Sequence, residues 1–168
     1  MAKRLGVNPS SNFVSKSVEE TLRIGTVLGV ELQEGDFIAL QGELGSGKTT
    51  LAGGIGMGLG VEIKLASPTY LLCREYEGRH LLFHLDAYFE GRMEAVLAEG
   101  LAERLAGPGV VIVEWPEKME PWLPSDRLAV ELEGVGMERQ ISFKALGPHS
   151  EALLARFRAA AEKLDKNT

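Results

Sequence analysis

Short apolar runs alternate along this chain with segments in which apolar residues recur every three or four positions. Residues 37–40 and 110–113 form unbroken apolar runs, as is typical of strands buried on both faces of a parallel sheet. Leu51, Ile55 and Leu59 repeat every four residues, which predicts a helix after the first run. This succession of strands and helices predicts the α/β fold class.

Further segments have helical character. Ser17 and Glu20 have the spacing of a capping box, in which two side chains satisfy the exposed N–H groups of a helix start. Residues 93–105 and 149–164 are predicted to form two more helices. The first helix carries a one-sided stripe of apolar and small residues, formed by Val18, Leu22, Gly25, Leu28 and Gly29.

Two pairs of segments are predicted to form antiparallel hairpins. Residues 70–76 and 80–85 favour strands on either side of a glycine-containing turn. Residues 128–133 and 139–144 alternate apolar and polar positions across a turn at 134–136. Together with the buried parallel strands, the hairpins predict a three-layer α/β domain with a mixed, partly antiparallel sheet.

The predicted helix that begins near Leu51 is unusually rich in glycine. Each interior glycine costs a helix about 1 kcal/mol relative to alanine, so this helix either is stabilised by tertiary packing or by a ligand, or is locally unstable. Gly60 has the position of a C-terminal stop. The interior glycines are Gly53, Gly54, Gly56 and Gly58.

The length of 168 residues and the hydrophobic content of 45% suit one domain with a substantial core. Residues 13–164 are predicted to form this domain. Residues 1–12 have the composition of a flexible tail, and residues 165–168 are expected to be a frayed C-terminus.

Charge and cysteine content argue against several classes of function. A net charge of -6 disfavours a surface that binds nucleic acid by bulk electrostatics. Cys73 has no second cysteine to pair with, and the sequence contains no thiol or histidine cluster with metal-ligand spacing. Neither a secretory signal nor a run of transmembrane length is present, so a cytoplasmic, soluble protein is expected.

Residues 42–50, GELGSGKTT, match the phosphate-binding pattern G-x-x-x-x-G-K-[ST] and make the domain P-loop NTPase-like. In this pattern glycines let backbone N–H groups surround phosphate oxygens, a lysine neutralises the outer phosphates and a hydroxyl ligates Mg2+. The apolar run before the loop and the helix after it supply the required context. The predicted nucleotide-binding residues are Leu44, Gly45, Ser46, Gly47, Lys48, Thr49 and Thr50.

Two acidic residues follow strands downstream of this loop. Asp86 ends the second strand of the first predicted hairpin, and Glu114 ends the run at 110–113. A carboxylate at the carboxyl end of a strand, beside a phosphate-binding loop, is typical of a group that holds Mg2+ or its water shell. The structural alternatives are a strand-terminal turn residue at Asp86 and a solvated strand end at Glu114.

In combination, four motifs resemble those of the TsaE (YjeE) family. They are the loop at 42–50, SPTY at 67–70, HLDAY at 84–88 and EWPE at 114–117. The resemblance covers residues 13–145. It implies an ATPase that uses ATP and Mg2+ in the formation of N6-threonylcarbamoyladenosine at position 37 of tRNAs reading codons that begin with A. It further implies that TsaB and TsaD are partners and that this protein does not itself transfer the threonylcarbamoyl group.

The resemblance also assigns roles to residues. Thr49 and Glu114 would lie at Mg2+, Asp86 would be the Walker-B-like acid, and Thr69 would lie in a switch-like loop. With Lys48, the residues Asp86, Glu114 and Thr69 form the implied catalytic set. Two positions depart from the family pattern: Phe89 stands where relatives often have arginine, and residues 137–139 match a glycine-arginine stretch poorly. Arg139 is the candidate to replace one of those arginines.

Other functions use the same loop. A small-molecule kinase would transfer the γ-phosphate to an alcohol, but it usually needs a basic lid, and Arg92 and Arg104 are isolated between the two acidic strands. A nucleotide-controlled assembly factor would respond to the bound state rather than to turnover. Any tRNA contact is expected to be indirect, although the sequence leaves open whether this chain touches tRNA directly. No membrane contact is expected, and the protein is expected as a monomer or in a partner-dependent assembly.

Overall fold

The computed structural model describes residues 11–66, 72–88 and 92–166 of the chain. Seven strands form one sheet in the order β1-β7-β6-β2-β5-β4-β3. The strands are β1 (Asn12–Ser15), β2 (Phe37–Gln41), β3 (Cys73–Tyr76), β4 (Leu82–Asp86), β5 (Val110–Glu114), β6 (Leu128–Val135) and β7 (Glu138–Ala145). The α-helices are α1 (Val18–Glu31), α2 (Lys48–Gly58), α3 (Arg92–Val96), α4 (Ala102–Leu105) and α5 (Pro148–Lys166).

The centre of the sheet is parallel and its two ends are antiparallel. Strand β2 pairs in parallel with both β5 and β6, and β4 pairs in parallel with β5. Both predicted hairpins are present, β3 with β4 and β6 with β7, and β1 adds antiparallel to β7. The prediction of a mixed, partly antiparallel sheet is therefore confirmed.

Helices cover both faces of the sheet. Alternate residues of β2 and β5 fall into two separate apolar clusters, since Ile38 and Ile112 join one and Phe37 and Val111 join the other. The first cluster is closed by α1, α2 and α5, and the second by the segment from Arg92 to Leu105 and the 3-10 helix Pro116–Trp122. These clusters confirm the predicted three-layer architecture.

Glycines allow α1 and α2 to pack with their backbones in contact. A Cβ built on Gly25 would lie 2.5 Å from the carbonyl oxygen of Leu51 and 2.9 Å from the Cα of Gly54. A Cβ built on Gly58 would lie 2.8 Å from the Cα of Gly29. The glycine-rich helix is therefore stabilised by tertiary packing, which its sequence requires. The prediction that Val18 belongs to the apolar stripe of α1 is wrong, because this side chain is 53% exposed.

Several element boundaries differ from the sequence-based predictions. Strand β1 was not predicted, because four residues give too little alternation to be recognised. The second hairpin turns at residues 136–137 rather than 134–136. The predicted helix at 93–105 is interrupted at Gly100, whose φ of 119° is not helical. Helix α5 continues to Lys166, beyond the predicted domain end at 164.

Arg79, in the turn between β3 and β4, caps the ends of two helices. Its guanidinium donates hydrogen bonds to the carbonyl oxygens of Gly29 at 3.0 Å and Val30 at 2.9 Å in α1, and of Gly58 at 3.2 Å in α2. The last carbonyls of a helix have no partner within the helix, so this one side chain supplies donors that α1 and α2 lack. From the sequence, Arg79 is only a turn residue.

We expect Arg79→Met to lower the free energy of unfolding by about 1–2 kcal/mol, because the carbonyls lose a charged donor. Arg79→Lys should restore only part of the loss, since an ammonium group cannot match the planar spread of guanidinium donors. Urea denaturation of the three proteins measures both effects. Equal stability of the Met variant and the wild type would contradict the capping role.

Candidate active site

The loop between β2 and α2 adopts a conformation that depends on glycine. Gly45 and Gly47 have φ values of 76° and 101°, in the left-handed region that side chains disfavour. Gly47 directly precedes α2 and turns the chain so that the helix begins at Lys48. The first N–H groups of a helix have no partner within the helix, and a helix that begins directly after a glycine-rich loop is the arrangement that binds phosphate groups.

Lys48 folds back across this loop. Its Nζ donates to the carbonyl oxygens of Gly42 at 2.6 Å and Glu43 at 2.9 Å, and it lies 4.3 Å from the centre of the Trp115 ring. Burial lowers the pKa of Lys48, and the carboxylates of Glu114, Glu117, Asp86 and Glu43 partly offset this effect. A buried cation held by neutral carbonyls can exchange them for phosphate oxygens with a gain in electrostatic energy.

The two predicted acidic residues lie side by side at the carboxyl ends of two neighbouring parallel strands. Asp86 of β4 and Glu114 of β5 are direct partners in the parallel register, and Leu40 of β2 is the partner of Glu114 on its other side. The carboxyl ends of these parallel strands meet where the phosphate-binding loop leaves β2. The two carboxyl groups belong to residues that are only 4% and 3% exposed.

Glu114 connects the sheet to the loop. The hydroxyl of Thr49 donates to Glu114 and lies 3.1 Å from both carboxylate oxygens. On the other side, Nε2 of His84 lies 2.9 Å from Oε1 of Glu114. In the sequence, Thr49 is 65 positions from Glu114 and His84 is 30 positions from it. The family resemblance implies that Thr49 and Glu114 lie close together, but it gives no indication of the partner of His84.

Trp115 covers the lysine side of the loop. Its φ of 59° lies in the left-handed region, which is uncommon for a large side chain and turns the ring back over Lys48. The ring also packs against Tyr88, with 5.0 Å between the ring centres. Trp115 thus contacts the site through Lys48 and also packs against the second apolar cluster of the core.

Most of the predicted site residues line one open cleft of about 380 Å3. Ser46 lies on the opposite flank of the loop, 3.5 Å from Nζ of Lys48. Thr69 and the rest of the 67–71 segment, like Phe89, lie outside the described residues. The lining consists of Leu44, Gly45, Gly47, Lys48, Thr49, Thr50, Asp86, Tyr88, Glu114 and Trp115.

The oxygen donors in this cleft suit Mg2+. Thr49 offers a hydroxyl, and Asp86 and Glu114 offer carboxylates, which are the ligand types that this hard cation prefers. Within the described residues, no group of three or more His, Cys, Asp or Glu side chains could hold a metal ion by itself. Mg2+ is usually bound by one or two carboxylates together with substrate phosphates, so these residues fit a metal that arrives with a nucleotide.

Two further features border the loop. Arg139 reaches from β7 and donates to the carbonyl oxygen of Gly45 at 3.1 Å. On the α1 side, an apolar cleft of about 480 Å3 begins at Thr49 and Thr50. Its apolar walls include Val18, Leu22, Met57, Val61, Ile63 and Leu65. Val18 lines this cleft, which is consistent with its exposure of 53%.

Comparison with known proteins identifies the family. The family model described as "Threonylcarbamoyl adenosine biosynthesis protein TsaE" matches residues 15–141. A crystal structure of Bacillus subtilis YdiB superimposes with a TM-score of 0.74 and 30% identity, covering 88% of this chain and 93% of that one. In the described ranges, every helix falls short of the length or the hydropathy that a membrane span requires.

Curated relatives agree with this assignment. The tRNA threonylcarbamoyladenosine biosynthesis protein TsaE of Bacillus subtilis is 39% identical over 80% of this chain and 85% of its own length. The proteins of the same name from Treponema pallidum and a Nostoc species are 39% and 45% identical, over 71% and 68% of this chain and 88% and 72% of their own lengths. This chain therefore belongs to the TsaE family of threonylcarbamoyl adenosine biosynthesis proteins.

Proposed function

We propose that this protein is a Mg2+-dependent ATPase that supports N6-threonylcarbamoyladenosine formation at position 37 of tRNAs reading codons that begin with A. It would act with TsaB and TsaD and would not transfer the threonylcarbamoyl group itself. One observation carries the proposal. Lys48 and Thr49, at the start of α2, converge with Asp86 and Glu114 on a single cleft. Family membership supports the pathway, because the relatives are named for this tRNA modification.

The chain's own groups would hold the triphosphate. The N–H groups at the start of α2 and the helix dipole attract phosphate oxygens, and Nζ of Lys48 would leave the carbonyls of Gly42 and Glu43 for the outer phosphates. Thr49 and Glu114 would hold Mg2+, which supplies charge neutralisation between the phosphates when it is bound. Asp86, beside Glu114 in the register, would orient water in the same cleft.

The apolar cleft beside α2 is the candidate site for the adenine base. It opens at Thr49 and Thr50, where the inner phosphates of a bound nucleotide would lie. Its volume of about 480 Å3 and its walls, which include Leu22, Met57 and Ile63, suit a flat aromatic ring.

Hydrolysis by this chain is expected to be slow without partners. Stabilising the γ-phosphate in the transition state usually takes a second cation, such as an arginine. The guanidinium of Arg139 is directed at the carbonyl oxygens of Gly45, Gly136 and Glu138. A rearrangement of Arg139, or a cation from the TsaB–TsaD complex, would complete the site.

Phosphate release tests this proposal. The protein is assayed with Mg2+ and ATP alone, then with TsaB–TsaD, then with TsaB–TsaD and tRNA. We expect slow release alone and a clear stimulation by the partner complex. Transfer of the γ-phosphate to a small alcohol would instead indicate a kinase. ATP binding that promotes assembly without stimulated turnover would indicate a nucleotide-controlled assembly factor.

A further inference from the structure

His84 is a polar residue placed in the apolar interior. It lies in the middle of β4 with no exposed surface, on the same side of the sheet as Leu82. A buried imidazole loses its hydration and is tolerated where a partner replaces the lost hydrogen bonds. A branched apolar residue would fill this position at lower cost, so the contacts of the imidazole need a separate explanation.

Within the part of the chain that the structure describes, the imidazole bonds to the Glu114 carboxylate. Nε2 of His84 lies 2.9 Å from Oε1 of Glu114. Among the described residues, Nδ1 of His84 is buried without a hydrogen-bond partner. Burying an N–H group without an acceptor costs more free energy than burying a ring nitrogen that carries no proton. A carboxylate can only accept a hydrogen bond. We therefore place the proton on Nε2, as a donor to Glu114.

We propose that His84 is a positioning residue that holds the Glu114 carboxylate against Thr49 and thereby sets the affinity of the site for Mg2+. This inference rests on the proposed function. The carboxylate receives Nε2–H from the sheet side and the Thr49 hydroxyl from the loop side. With both donors in place, its oxygens are fixed at the cleft before a nucleotide arrives.

Loss of the imidazole donor would leave Glu114 with fewer hydrogen bonds in a buried place. A glutamate has rotatable side-chain bonds, so its carboxylate would turn toward other donors or water. Groups that orient a metal ligand in this way typically change metal affinity by about 10–100-fold when they are removed. Phosphate contacts made by Lys48 and α2 do not pass through His84 and should persist.

The test is a Mg2+ titration of the binding of a fluorescent ATP analogue at fixed nucleotide concentration, with a second binding curve in EDTA. We expect His84→Leu to raise the half-saturating Mg2+ concentration by about 10-fold or more, and to leave the affinity in EDTA within about 2-fold of wild type. His84→Gln, whose amide nitrogen can reach the place of Nε2, should recover most of the Mg2+ response. His84→Asn, whose amide is too short, should not.

Leu82→Val is the matched control, because it loosens the same face of β4 without contact to Glu114. It should lower the melting temperature and leave the Mg2+ midpoint unchanged. An unchanged midpoint in His84→Leu or, if that variant does not fold, in His84→Asn would overturn the inference. So would equal losses in Mg2+ and in EDTA. If wild-type binding does not respond to Mg2+ at all, the proposed function itself fails.

Discussion

Lys48→Ala is expected to lower the affinity for ATP by about 100-fold or more, with loss of measurable hydrolysis. The ammonium group is the cation placed nearest the loop carbonyls, and each charge-assisted hydrogen bond to a phosphate contributes about 1.5–3 kcal/mol. Removing the ammonium group leaves the helix N-terminus to hold the phosphates. Isothermal titration calorimetry with MgATP measures the affinity, and phosphate release with TsaB–TsaD measures turnover.

Lys144→Ala provides the matched control for charge. It removes the same charge from an exposed position on β7, in a different groove of the molecule. It should leave ATP affinity unchanged. The melting temperature of Lys48→Ala shows whether the variant folds. Wild-type ATP binding by a folded Lys48→Ala protein would refute the assignment of this loop as the nucleotide site.

The sequence predicts the parts of the site that depend on short-range spacing. The glycines and Lys48 lie within one loop, and Asp86 and Glu114 directly end apolar strands, so the topology of a parallel sheet brings them together. Both hairpins are also predictable, because the strand-favouring residues of the first and the alternation of the second lie directly beside their turns. Residue roles that rest on the resemblance, such as that of Thr69, stay predictions.

Contacts between distant elements could not be read from the chain. The partner of His84 lies 30 residues away and depends on the register between β4 and β5. Arg79 was interpreted as a turn residue, because its carbonyl acceptors belong to two helices that must first pack together. The left-handed conformation of Trp115 has no sequence signal either, since tryptophan rarely adopts it.

The glycines of α2 show how tertiary structure overrides local propensity. From the sequence, Gly53, Gly54, Gly56 and Gly58 only weaken a helix. In the fold, Gly54 lies against Gly25, and Gly58 against Gly29, so that two helices approach more closely than side chains would allow. Gly53 differs, because a Cβ built there would meet only the Cδ2 of Leu22, at an ordinary distance of 3.7 Å. Gly54 is thus required for the close packing of the two helices, whereas the neighbouring Gly53 is not.

Gly54→Ala is therefore expected to lower the free energy of unfolding by about 2 kcal/mol or more. Its Cβ would lie 3.0 Å from the Cα of Gly25 and closer still to the carbonyl oxygen of Leu22, and neither backbone atom can move without separating the helices. Overpacking of this kind typically costs about 1–3 kcal/mol, occasionally more, and exceeds the gain of up to about 1 kcal/mol in helix propensity. Urea denaturation gives the free energy directly.

Gly53→Ala makes the same chemical change one residue earlier and should have the opposite sign. Without a clash, the gain in helix propensity is expected to raise the free energy of unfolding by up to about 1 kcal/mol. Neither variant changes a residue that lines the cleft at Lys48, Thr49, Asp86 and Glu114, and Gly53 lines only the apolar cleft beside α2. Because the measurement is the stability of the protein without a ligand, the difference between the two variants isolates the contact of α1 with α2. If both alanines stabilise the protein, or both destabilise it equally, the close approach of Gly25 and Gly54 is not what makes glycine necessary in α2.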